Sequence, residues 1–319
     1  MANIMTQPKL AIIGTGNIAN FHCDAFKKAG FEISHGAGSL NSKSAIEFGK
    51  KHGIKKIFSD PMEILKNCAQ WDVVLLSTPT EKNITYLDEI LKINKPALIE
   101  KPVATDAEYL SQFTKNSFKK IRVAYNRRFY ATTQRAKNFI DDEGFVYAKM
   151  ELPETLNTAG YYNSVHLNSA HGIDLLNYLF SSLEVIKNIH FENDIGRLVI
   201  LKSSDNQIVN LIMNWNSPSN FSLSLESANK KFEMKPFEDS QIFQGMTVIE
   251  PSDELPLRRY IPKSIESVTS YPTKSNLIKP GFLEQALEIK NLLAGKEPII
   301  SASLYDAYLA QKLLKEILY

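Results

Sequence analysis

Short apolar runs without alternation punctuate the chain as far as Tyr125, and amphipathic stretches separate them. Leu10 to Ile13, Phe31 to Ser39, Lys56 to Phe58, Asp72 to Ser77, Pro96 to Ile99 and Ile121 to Tyr125 read as strands. Runs this short and this apolar suit parallel strands covered on both faces. Between them Ile18 to Ala29, Ser44 to His52, a segment opened by Pro61, Thr85 to Ile93 and Asp106 to Lys115 carry helical spacing. Strand and helix taken in turn predict a doubly wound parallel sheet. Beyond Tyr130 the pattern changes to one helix ending near Asp141, followed by strands at Phe145 to Leu152, Glu184 to Glu192, Arg197 to Lys202, Gln207 to Trp215, Phe221 to Glu226 and Lys230 to Met234. Asp205-Asn206 and Ala228-Asn229 read as hairpin tips, so this half is expected to form an open, mainly antiparallel sheet with the helix after His171 on one face. Pro251 to Pro280 has little periodicity and reads as a long excursion, before two closing helices at Phe282 to Ala294 and Ser303 to Leu318. The expected fold class is α/β, with residues 1–124 as one domain and 125–319 as an α+β second domain.

A length of 319 residues accommodates two such cores. Thirty-seven Lys and Arg against 35 Asp and Glu, a net charge of +2, give no electrostatic case for nucleic acid or an anionic membrane as partner. Only Cys23 and Cys68 are present, without metal-binding spacing, so no metal is expected and both thiols are expected to be reduced. No apolar run approaches the ~18 residues of a membrane span. The opening MANIMTQPKL lacks a signal-peptide layout, which makes a cytoplasmic location the expectation.

The candidate chemistry begins where the first strand ends, at Gly14-Thr15-Gly16-Asn17-Ile18-Ala19. This G-x-G-x-x-A pattern between a buried strand and an amphipathic helix is that of a dinucleotide-binding turn, and it makes the first domain a Rossmann candidate. Gly14 permits the tight turn, Gly16 lets a pyrophosphate approach the backbone, and Asn17 and Ile18 open the helix whose free N–H groups face it. An ordinary glycine turn is the competing reading. The second strand runs out at Ser39-Leu40-Asn41, with no carboxylate to meet ribose hydroxyls and no arginine for a 2′-phosphate; Lys43 is the nearest cation. Ser39 or Asn41 can bond a ribose hydroxyl without charge, so the choice between NAD and NADP stays open at this point.

Four further segments add to the glycine turn: Thr78-Pro79, Glu100-Lys101-Pro102, Tyr125-Asn126-Arg127-Arg128-Phe129, and HGIDLLNYLF from His171. In this order and spacing the chain resembles the glucose-fructose oxidoreductase, inositol dehydrogenase and rhizopine-catabolism family of NAD(P)-dependent oxidoreductases. The resemblance implies hydride transfer between a nicotinamide and a sugar or nucleotide sugar, in the manner of members that serve bacterial surface-polysaccharide synthesis. It implies that Lys101 and His171 are catalytic and converge on one coenzyme ring. It places Ser39, Thr78, Pro79, Asn83, Glu100, Lys101 itself and Asn126, with the glycine turn, near the cofactor, and Tyr125, Arg127, Tyr162, His166 and Asn168 near the substrate. Arg128 reads instead as a structural ion-pair partner. Two departures stand out. Leu167 occupies the place where many members carry an aspartate one turn before the histidine, and Asn83 stands where a histidine is common. Leucine accepts no proton, so a rival reading is a catalytically inactive protein that binds dinucleotide or sugar as a signal. An open sheet with one uncovered face also predicts a homodimer or homotetramer.

Overall fold

The computed structural model describes residues 7–154, 165–180 and 182–319. By internal packing the chain divides into two compact units: the chain up to Phe129 together with Pro272–Lys312, and Tyr130–Tyr271 together with Leu313–Tyr319.

The first unit holds six parallel strands, β1 (Lys9–Ile13), β2 (Glu32–Ala37), β3 (Lys56–Phe58), β4 (Val73–Leu76), β5 (Ala97–Ile99) and β6 (Ile121–Val123). They lie in the order β3-β2-β1-β4-β5-β6. The direction of winding reverses between β1 and β4, which opens a crevice at the carboxyl ends of these strands. Leu10–Ile13 and Val73–Leu76 are fully buried, as expected of central parallel strands. The connecting helices are α1 (Asn17–Lys28), α2 (Lys43–His52), α3 (Pro61–Lys66), α4 (Thr80–Ile93) and α5 (Ala107–Leu110). Ser42 caps α2 by accepting from the Ala45 N–H, and Asp60 caps α3 by accepting from the Met62 N–H, with Pro61 in the first turn. Two helices differ from the sequence expectation. α4 begins at Thr80, directly after Pro79, which fixes its own φ at a helix entrance. α5 is a single turn rather than the stretch from Asp106 to Lys115; Ser111, Thr114 and Ser117 there turn their hydroxyls or backbones into local bends.

The second unit is an eight-stranded sheet behind two helices, α6 (Ala131–Glu143) and α7 (Ala170–Leu179). Its strands are β7 (Tyr147–Glu151), β8 (Glu184–His190), β9 (Gly196–Lys202), β10 (Ile208–Asn214), β11 (Ser222–Glu226), β12 (Lys230–Met234), β13 (Asp239–Ile249) and β14 (Arg259–Thr269). The order is β14-β13-β12-β11-β7-β10-β9-β8, antiparallel throughout except between β7 and β10. One face is apolar: Met150, Val199, Leu211, Leu225, Phe232 and Met234 are fully buried, and Phe139 of α6 meets Phe232 with ring centroids 5.8 Å apart. α7 lies so close to Leu152 that a Cβ on Gly172 would stand 2.3 Å from its Cδ2. The other face carries Tyr147, Lys149, Glu151, Asn210, Ser224 and Glu233, all half-buried, with Lys149 and Glu151 paired at 2.5 Å. The hairpin of β13 and β14 is a correction to the sequence reading, which took Pro251 to Pro280 as aperiodic. β14 is exposed along almost its whole length, so no alternation of apolar and polar residues marks it.

Two last helices, α8 (Phe282–Leu293) and α9 (Leu304–Leu318), finish the chain. Phe282, Ala286 and Ile289 of α8 join Cys23, Phe26 and Ala29 of α1 in the core of the first unit. A division at 124/125 leaves this segment with the second half of the chain, whereas its packing puts it with the first. Burial in that core pushes the Cys23 thiol up to about 12, which makes it inert as a nucleophile. Neither cysteine is in a disulfide.

Candidate active site

Gly14 has φ +97°, and a Cβ there would stand 2.3 Å from the Ser77 carbonyl oxygen. The turn after β1 is thus pressed against the end of β4, and its N–H bonds the Ala37 carbonyl at the end of β2 at 2.8 Å. Gly16 is the opposite case, with open space where a side chain would begin. Together these glycines border a cavity of about 850 Å³, lined also by Thr15, Gly38, Ser39, Leu40, Ser42, Ser44, Asp60, Ser77, Thr78, Pro79, Lys82 and Tyr86. The lining suits a dinucleotide: bare backbone where a pyrophosphate approaches, hydroxyls at the end of β2, and apolar Leu40 and Pro79 for ring faces. Ser39, Thr78 and Pro79 line this cavity, and Asn17 and Ile18 form the first residues of α1 beside the turn.

The other expected cofactor residues are outside this lining. Glu100 follows β5 directly and is buried, with Lys101 half-buried after it. One carboxylate oxygen of Glu100 meets Nε2 of His22, a fully buried residue of α1, at 2.6 Å, and the other accepts from the Lys101 N–H at 3.1 Å. His22 was not marked by the sequence, where it reads as one more residue on a helix face. Asn83, 1% exposed, accepts from Thr78 Oγ1 at 2.7 Å and donates to the Pro102 carbonyl at 3.1 Å. Its amide ties the Thr78 turn to the Lys101-Pro102 segment, whose peptide bond is cis. Asn126 donates its amide to the Pro280 carbonyl, and a Cβ on Gly281 would stand 2.1 Å from the Asn126 carbonyl oxygen.

The same return brings in Lys279, another residue the sequence did not mark. Its ammonium lies 5.0 Å from the ring centre of Phe21 and 5.1 Å from that of Phe282, and Phe282 in turn packs against His22. Burial lowers the Lys279 pKa from its ordinary value, Glu100 opposes the shift, and Arg127 adds to it. Tyr125 is buried and Arg127 half-buried beside Asn126. Arg128 bonds Asp306 at 3.2 Å, as its reading as an ion-pair residue requires. Burial pushes the Asp306 carboxyl up, but Arg128 and the Ser303 donors outweigh it and the net direction is down.

In the second unit His171 is buried near the start of α7, with Asp174 one turn on. Val165–Ser169 forms a π-helical turn leading into it, with His166 half-buried and Leu167 exposed. Asn168 donates to Glu154 Oε2 at 3.2 Å, and the Ser169 hydroxyl bonds the other oxygen of Glu154, which is buried. A carboxylate is thus present beside this turn although Leu167 supplies none. No pattern in the sequence points to it, because Glu154 stands 14 residues before Asn168 along the chain. Tyr162, expected near the substrate, and its neighbours Tyr161 and Asn163 lie outside the described residues. Among the described residues no cluster of His, Cys, Asp and Glu could hold a metal ion, and no helix is long and apolar enough to cross a membrane.

Residues 9–125, from β1 to the end of the parallel sheet, match the model of an oxidoreductase family with an NAD-binding Rossmann fold. This segment is thus similar to the NAD-binding domain of the glucose-fructose oxidoreductase, inositol dehydrogenase and rhizopine-catabolism family. The chain is 23% identical over 137 residues to the myo-inositol 2-dehydrogenase of Thermotoga maritima, a match that spans 42% of this chain and 41% of that relative. Among solved structures it resembles a levoglucosan dehydrogenase in complex with NADH and levoglucosan, at TM-score 0.74 and 14% identity over 98% of this chain and 96% of that one. It also resembles UDP-N-acetylglucosamine 3-dehydrogenase from Acidithiobacillus ferrooxidans, at TM-score 0.76 and 12% identity over 98% and 97%. At such identities the likeness extends to the fold, and through both units. The cofactor of the family's Rossmann domain, NAD or NADP, fits the cavity bordered by Gly14 and Gly16.

Proposed function

We propose that the protein is an NAD(P)-dependent oxidoreductase that moves hydride between the nicotinamide and a carbinol or ketone carbon of a sugar or nucleotide sugar. The observation that carries the reading is the glycine-turn cavity at the sheet's switch point together with Lys101, held by Glu100 at the end of β5. NAD(P) supplies the hydride acceptor or donor. Lys101 is the acid that hydrogen-bonds the substrate oxygen as it gains a proton, and the base side when the reaction runs the other way. His171 is the partner in that proton transfer, since an imidazole titrates near neutrality. Tyr125, Arg127, His166, Asn168 and Tyr162 bind the sugar. A nucleotide sugar of surface-polysaccharide synthesis is the substrate class we favour, in keeping with the UDP-sugar dehydrogenase among the similar folds.

Incubating the full chain with NADH and NADPH against keto-sugars, and with NAD⁺ and NADP⁺ against sugars and UDP-sugars, tests this through nicotinamide absorbance. Turnover on at least one substrate class is expected. Tight cofactor binding with no turnover on any of them favours the rival reading, a binding protein of the same fold.

The uncovered face of the second sheet supports a second proposal, a homodimer or homotetramer closed through that face. Along it Lys149 faces Ser224 across the ladder and Ser224 faces Glu233, so positive and negative groups sit on one surface, and a two-fold axis would set each against its opposite. Sedimentation equilibrium at micromolar concentration is expected to give twice or four times the chain mass; a monomer would exclude the assembly.

A further inference from the structure

The cavity at the glycine turn also bears on which dinucleotide it takes. We propose that its β2 side admits a 2′-phosphorylated dinucleotide as readily as the unphosphorylated one, and that Ser39 is the position that sets this. The proposal rests on the reading of the cavity as a dinucleotide site.

In parallel sheets of this kind the residue just past the second strand meets the ribose hydroxyls. A carboxylate there accepts from both hydroxyls and repels a 2′-phosphate. Here β2 ends at Ala37, whose carbonyl is tied to the glycine turn through Gly14, and the lining residues that follow are Gly38, which has no side chain to offer, and Ser39, the first that has one. From Gly36 to Ile46 the chain carries no acidic residue. The loop is also pinned, which holds Ser39 at the end of β2. The Ser42 N–H bonds the Ser39 carbonyl and the Asn41 N–H bonds the Ser59 carbonyl, each at 3.0 Å.

Among the described residues lining the cavity the one carboxylate is Asp60. Its Oδ1 is held 2.9 Å from the Met62 N–H as the cap of α3. Ser39, Ser42 and Ser44 supply hydroxyls instead. Ser42 and Ser44 share one hydrogen bond at 2.8 Å, which uses one of their two hydroxyl protons. The remaining proton and that of Ser39 can be donated to ribose or phosphate oxygens alike. Lys43, exposed between these serines, adds a positive field that favours the phosphate. With donors on the wall, a cation beside it and the one acid, Asp60, on α3 rather than at the end of β2, the β2 side itself carries nothing that selects against the extra charge.

Fluorescence titration of the full chain with NADH and with NADPH tests this without any substrate. The two dissociation constants are expected to agree within about threefold at low salt, because no carboxylate stands at the end of β2 to separate them. Ser39→Asp is expected to weaken NADPH about thirtyfold and NADH less than threefold, with the ratio shrinking as salt screens the new repulsion. Ser39→Asn, equal in size to aspartate but neutral, is expected to keep the wild-type ratio. A wild-type preference for NADH of more than about tenfold, or a ratio that Ser39→Asp leaves unmoved, overturns the proposal. The wild-type ratio stands as a test even where a variant fails to fold. Failure of both dinucleotides to bind is a different result, since it removes the dinucleotide reading itself.

Discussion

Replacing Lys101 by alanine is expected to lower turnover about a thousandfold while changing the affinity for NADH or NADPH less than about twofold. The asymmetry follows from where the residue sits. Lys101 comes immediately after β5, and its own N–H is held by Glu100, which is anchored in turn on buried His22. Beyond it, the Pro102 carbonyl is held by Asn83. The backbone on either side of Lys101 is therefore fixed, which limits how far the side chain must be ordered for proton transfer in the transition state. The phosphate end of the cofactor cavity, bordered by Gly14, Gly16 and Ser39, does not include Lys101, so its loss leaves that end intact. Lys101→Arg should not restore turnover, because a guanidinium keeps the charge but does not release its proton. Steady-state rates on a turned-over sugar, set beside cofactor titrations, separate the two quantities. Full activity in Lys101→Ala would remove the residue from the chemistry.

A second large effect is expected on stability. Glu100→Ala leaves fully buried His22 without its carboxylate, and breaking a buried pair from one side typically costs about 3 kcal/mol. Urea unfolding of the variant should show a lower midpoint with an unchanged slope. The double variant His22→Leu, Glu100→Leu should lose less than the single one, because it leaves no polar group stranded in the core. Turnover in Glu100→Ala falls as well, since the Lys101 N–H loses its acceptor. A single variant as stable as the wild type would show that the His22 contact contributes nothing.

The sequence carried the first unit well because its strands are buried on both faces, and such strands write themselves as short apolar runs. β3 and β12 were read to the residue. The glycine turn, Thr78-Pro79 and Ser39 line one cavity for a related reason: each follows the carboxyl end of a parallel strand, and the strand pattern marks those ends. The β13 and β14 hairpin was not legible, because a strand exposed along its length has no inside and outside to alternate between. β14 even carries Pro262, which on sequence argues for a loop and in the structure sits on an edge strand, where no partner needs its missing N–H. His22, Lys279 and Glu154 were missed for a third reason. Each acquires its meaning from a residue distant along the chain, Glu100, Phe21 and Asn168 respectively, and periodicity within a segment carries no trace of such a partner.

The return of α8 to α1 has a bearing on how the molecule is made. Phe282, Ala286 and Ile289 complete a core whose other members are synthesised far earlier, so on the ribosome the Cys23 and Phe26 side of α1 emerges long before its cover exists. The nascent Rossmann sheet must persist through translation of the entire second unit with an oily flank in water, and it closes only when the distal helix is released. A stop codon between Phe129 and Pro272 would thus yield a polypeptide bearing every strand of the nucleotide cradle and yet prone to aggregate.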